Sequence, residues 1–162
     1  MLNEKVLIMR KIAIVALMIL FSAGLNAQMD GTAPLARGEK QINFGVGLSN
    51  WGLPVYFSVD FAVHKDVTLT PEIHMRLPTW YDDFSGGVMF KADYHWNYLI
   101  GIPRDWDFYS GLRLGINFGD DVFPDLGLQV GGRWYWNETW GLNLEFAGGA
   151  GFGATFGLSA RL

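Results

Sequence analysis

Two histidines have the best claim to chemistry, and each lies two positions from a carboxylate: Glu72-Ile73-His74 and Asp93-Tyr94-His95. A zinc-type centre asks for three or four converging ligands. Glu72, His74, Asp93 and His95 could supply them only where their segments lie side by side. The simpler reading puts all four into a buried polar network, so no metal and no cofactor is expected. The chain has no cysteine. Thiolate metal sites, cysteine nucleophiles and disulfides are therefore excluded.

Acyl-transfer or hydrolytic chemistry needs a base within hydrogen-bond reach of its partner. Ser110 lies among apolar residues with no histidine beside it, and His64 falls in a turn signal. Asp82, Asp83, Asp120, Asp121 and Asp125 gather in two connecting stretches. They lack the spacing of a calcium loop and read as solvated loop charge. No catalytic residue is assigned, and the expectation is a protein that is not an enzyme.

The N-terminus reads as a targeting segment. Arg10 and Lys11 precede an unbroken apolar run from Ile12 to Phe21, and Leu25-Asn26-Ala27 ends on a small residue. That order predicts a signal peptide over 1–27. The run is too short for a membrane helix, which needs about 20 apolar residues. Without this segment the chain is more acidic than its formal −4, so no basic footprint for nucleic acid exists. Residues 28–39, polar with Gly and Pro, predict a flexible periplasmic leader.

From residue 40 to 162 the pattern has period two. Ile42, Phe44, Val46 and Leu48 alternate with Asn43, Gly45 and Gly47. The same alternation recurs over 55–61, 67–76, 88–96, 107–118, 126–136, 140–146 and 152–162. Each stretch predicts a strand with two unlike faces. Turn signals separate them at 50–52, 64–66, 77–87, 97–105, 119–125, 137–139 and 148–151. Pro71 cannot donate to a ladder, so a bulge is expected there. Eight such segments predict an all-β, eight-stranded antiparallel up-and-down transmembrane barrel.

Three features decide which face is outside. The apolar face is crowded with Phe, Leu, Ile and Trp, whereas an eight-stranded barrel encloses barely enough room for its own small side chains. The polar face is Gly, Ser, Thr, Asn and Gln with balanced charge, unlike the Lys/Glu-dense surface of a soluble protein. Its acids are Asp60, Glu72, Asp93, Asp107 and Glu145, and its bases are Arg76, Lys91, Arg113, Arg133 and Arg161. Finally, Trp96, Trp106, Trp134, Trp136 and Trp140 fall at strand ends on one rim, and Trp51 and Trp80 at the other. Aromatic girdles of this kind mark both interfaces of membrane barrels. The polar face therefore lines a closed lumen, where Glu72 should pair with Lys91, and Arg133 with Glu145. Inward Gly115 should accept serine more readily than outward Leu114 accepts arginine.

The glycine-aromatic texture of FGVGLSNWGLPVYFSVDF and RWYWNETWGLNLEFAGG resembles the small outer-membrane barrels of the OmpX and OmpA-transmembrane type, in their Bacteroidota forms. The resemblance covers residues 40–162. It implies an outer-membrane location, contact with outer-membrane lipids and lipopolysaccharide, insertion by the barrel assembly machinery and a monomeric state. Such barrels carry a C-terminal assembly signal. Thr155 and Gly157 match it, while Ala160 and Leu162 stand where aromatics are usual. An even strand number returns both termini to the periplasm, together with the turns at His64, 97–105 and 137–139. The alternatives are a narrow porin-like channel and a lipid-modifying enzyme.

Overall fold

The alternation closes into one sheet. The computed structural model describes residues 34–48, 53–77, 85–119, 121–149 and 153–162. Its strands are β1 (Lys40–Leu48), β2 (Leu53–His64), β3 (Val67–Leu77), β4 (Ser85–His95), β5 (Trp106–Phe118), β6 (Val122–Tyr135), β7 (Trp140–Ala147) and β8 (Ala154–Arg161). Each pairs antiparallel with its sequence neighbours, and β1 pairs with β8 to close the barrel. The expected all-β, eight-stranded architecture is what forms. Closure leaves no strand without a neighbour on either side. Among the described residues no helix is long and apolar enough to cross a membrane. The expected signal peptide, residues 28–33, Trp51, Trp80, Asp82, Asp83 and Asp120 lie outside the described residues.

The polarity of the barrel is inverted relative to a water-soluble domain. Every strand turns a large apolar residue outward, among them Phe44, Phe57, Ile73, Phe90, Leu114, Leu128, Leu144 and Phe156, all exposed. The alternate positions are buried and polar: Asn43, Ser58, Glu72, Lys91, Arg113, Gln129, Asn143 and Ser159. Period two and closure suffice to produce this, because successive side chains on a strand point to opposite faces. Lys40 opens β1 on the outward face, at the rim, with its ammonium 5.6 Å from the Phe61 ring centre.

Two expectations about local structure are corrected. No bulge forms at Pro71. The β3–β4 register runs through Pro71↔Phe90 unbroken, and on the β2 side Ser58↔Glu72 and Phe61↔Leu69 keep one offset. The missing N–H costs a rung and inserts no residue. The register shift falls instead at Ala62/His64, beside the tight turn into β3. Likewise, 119–125 is not all loop: β6 begins at Val122 and pairs with β5 from Phe118↔Val122 onward. Pro124 is tolerated because β6 meets β7 only from Gln129, so this stretch is an edge.

The 97–105 connection holds a single helical turn, α1 (Asn97–Ile100), capped by left-handed Gly101. Asn97 ties it to β5 through its side-chain amide and the Trp106 carbonyl, and through the Phe108 N–H at 3.3 Å. Before β1, Gly38 N–H donates to the Ala62 carbonyl at 2.8 Å and Leu35 is buried.

Candidate functional site

The lumen brings most of the sequence-predicted charges together. Lys91 Nζ lies 2.8 Å from Glu72 Oε2 and 3.0 Å from Glu145 Oε2. Glu72 and Lys91 are not directly opposite: the register pairs Thr70 with Lys91 and Glu72 with Met89. The long lysine stem spans the two-residue offset. The expected Arg133–Glu145 pair does not form. Arg133 sits opposite Asn143, and its guanidinium instead reaches Asp60 at 2.7 Å and Asp107 at 2.8 Å. Alternation assigns a face but not a height, so strand stagger decided this pairing.

His74 and His95 do not meet. His74 Nε2 is 2.8 Å from Asn117 Oδ1. His95 sits between Asp107, 2.7 Å from its Nδ1, and Thr68 Oγ1, 3.0 Å from its Nε2. This order of groups matches an acid–base relay, with Thr68 only 2% exposed and facing the barrel interior. The two contacts hold the His95 ring between them. Among the described residues no cluster of three His, Asp or Glu side chains could hold a metal ion.

The remaining predicted charges also lie inside or at the mouth. Asp93 accepts from Gln129 Nε2 at 2.6 Å. Arg76 and Arg113 are both buried, with Arg76 within electrostatic reach of Arg113 and Asp125. Asp125 is a correction: it is not a solvated loop residue but a buried lumen acid, accepting from Asn117 Nδ2 at 3.1 Å. Arg161 lies at the rim, 3.4 Å above the Tyr135 ring centre, and donates to the Arg104 carbonyl.

Sequence reasoning missed three tyrosines as members of this network. Tyr56 donates to Asn143 Oδ1 at 2.6 Å, Tyr109 to Glu145 Oε2 at 3.0 Å, and Tyr135 to Gln41 Oε1. The signal was present. These inward-phase aromatics carry a hydroxyl, whereas the outward ones are mostly Phe and Trp. Their rings fill space that glycines vacate: a methyl at Gly131 would overlap the Tyr109 ring. Between Tyr56, Lys91, Tyr109, Arg133 and Glu145 there remains a void of about 10 Å³, room for one water at most. Bonds from β2 to β7, β2 to β6, β4 to β7 and β1 to β6 cross the lumen.

On the rim that carries the β1 start and β8 end, the predicted tryptophans form a belt. Trp106 and Trp134 ring centres are 6.2 Å apart, and Trp134 and Trp136 are 6.4 Å apart. Trp106 stacks on Phe108. Trp96 donates from Nε1 to Ser110 Oγ at 3.1 Å. Trp140 is exposed, and its carbonyl accepts from the Trp136 N–H at 3.2 Å.

No protein-family model matches the chain, and no curated protein matches it. Its fold is similar to the crystal structure of the N-terminal β-barrel domain of Pseudomonas aeruginosa OprF. The TM-score is 0.57 at 14% identity, over 79% of this chain and 100% of that one. The likeness is one of fold.

Proposed function

We propose that the chain is a non-enzymatic barrel integral to a bacterial outer membrane, with a closed, charge-paired lumen and a structural or surface-interaction role. The observation that carries this reading is the inverted polarity. Phe, Leu, Ile, Val and Trp are exposed around the whole wall, while charged and amide side chains are buried within. In water such a wall would exceed by far the apolar patches that soluble monomers carry. In hydrocarbon it matches its surroundings, and a closed ladder satisfies the backbone groups that lipid cannot.

The bonds that cross the lumen support its being closed. Outer-membrane phospholipid, lipopolysaccharide and the barrel assembly machinery are its proposed partners, and a monomer is the proposed state. Both termini and the Trp belt then face the periplasm. The test is folding and conductance. The chain should fold only with detergent or lipid and show heat-modifiable migration in gels. It should carry no steady current in planar bilayers. A monomer folded in plain buffer would overturn the membrane reading. Steady single-channel currents would replace the closed lumen with a narrow channel.

A further inference from the structure

The outer wall is not evenly covered. Gly132 stands in the outward phase of β6, between Phe108 of β5 and Leu144 of β7. The Phe108 ring packs over the glycine, and at this place the wall holds a groove of about 350 Å³ lined by Trp106, Phe108, Gly132, Trp134, Leu144 and Phe156. A second depression of about 290 Å³ continues it past Leu128 to Gly148, and the two share Val130 and Phe146. Together they form a trough along the β6–β7 seam.

We propose that this trough is a binding site for one acyl chain of a phospholipid in the leaflet at the Trp-belt rim. The proposal rests on the membrane reading above. Its first support is chemistry: the side chains that wall the trough are apolar, so the occupant must be apolar along its length. The second is length. Trp134 to Leu128 is six residues of strand, about 20 Å at the usual rise. Tilted at about 40°, that spans about 15 Å, half of a ~30 Å hydrocarbon core. The trough is one leaflet long. The third is position. It starts at Trp106 and Trp134, where the belt meets the headgroups, and runs away from them. With that rim on the periplasmic side, as proposed above, the chain lies in the periplasmic leaflet, which selects phospholipid over lipopolysaccharide.

The experiment is native mass spectrometry of the full chain, refolded in detergent with a palmitoyl-containing phospholipid. The wild type should retain one phospholipid per barrel under activation. Gly132→Leu and Leu144→Trp, which fill the trough from its floor and its wall, should each lower that occupancy at least tenfold. Phe90→Leu, on the outward face of β4, should leave it unchanged. Heat-modifiable migration verifies that each variant is folded. Leu144→Trp keeps the test valid should Gly132→Leu misfold against the Phe108 ring.

Equal retention by all variants, or no lipid on the wild type, would overturn the site. So would preferential retention of lipopolysaccharide, or of a second copy of the chain. Failure of the membrane reading looks different: the wild type would then not insert into vesicles at all.

Discussion

Lys91 bridges two carboxylates that would otherwise repel each other inside a narrow tube. Removing the cation orphans both, so Lys91→Met should cost about 3–5 kcal/mol, the usual penalty for a buried broken pair. Glu72→Gln should cost less, because Lys91 keeps Glu145. Urea midpoints in detergent would check this, and equal losses would contradict the shared arrangement. Adding Glu72→Gln to Lys91→Met should recover part of the loss, since one orphaned charge disappears. A second residue-scale prediction concerns fit. Gly131→Ala overlaps the Tyr109 ring and should destabilise by about 1–3 kcal/mol, as overpacking does. Combining it with Tyr109→Leu should be less harmful than the sum of the two. At this scale the sequence showed which residues face inward. It located the Glu72–Lys91 contact and misplaced the partner of Arg133, because period two carries no information on stagger. Asp125 was hidden by its company: Gly119 to Asp125 is rich in turn-forming residues, and only the β5–β6 ladder reveals the strand within.

Strands are where the sequence was most legible. Two faces per strand follow from the pleat, and all eight segments appear with shifts at their ends. The consequence is face-dependent tolerance. Leu114 is exposed on the wall, so Leu114→Arg should cost about 2–4 kcal/mol in a bilayer, whereas Leu114→Phe should be nearly neutral. Chemical unfolding from lipid vesicles would measure both. The cost expected of Gly115→Ser is smaller than that of Leu114→Arg, but it is not zero. A side chain there would overlap the Val88 carbonyl and the Met89 sulfur on β4, so Gly115→Ser should also destabilise. Thr70→Ser is the mild inward change, because it keeps the hydroxyl that donates to Asp60 at 2.8 Å. Glycines in the inward phase therefore serve close strand approach and ring packing, which composition alone could not separate from mere small size. Pro71 teaches the converse: a residue without an N–H can stay in register when one missing rung is the whole cost.

For the molecule as a whole, the quantity to test is orientation. The proposed topology puts the Asn137–Thr139 turn in the periplasm and the β5–β6 tip outside. An epitope inserted at Asp121, or in the 77–87 connection at Asp83, should label on intact cells, and one at Glu138 should not. The reverse pattern would invert the barrel. The closed architecture, and with it the link between its two ends, was legible from strand number and face chemistry, but the register of that link was not, since no local pattern encodes it. That link joins Gln41↔Arg161 through Leu48↔Ala154, and the Leu162 N–H donates to the Lys40 carbonyl. It has a consequence for how the protein comes into being. The strand synthesised first must wait for the strand synthesised last, so folding cannot keep pace with translation. Contacts this distant in sequence form slowly. Until they do, β1 and β8 are open templates for pairing with other chains. On the proposed outer-membrane reading, a newly made copy would be exposed to such pairing until the barrel closes. A chain truncated before Ala154 should form no closed barrel and should be degraded by added protease where the intact barrel resists.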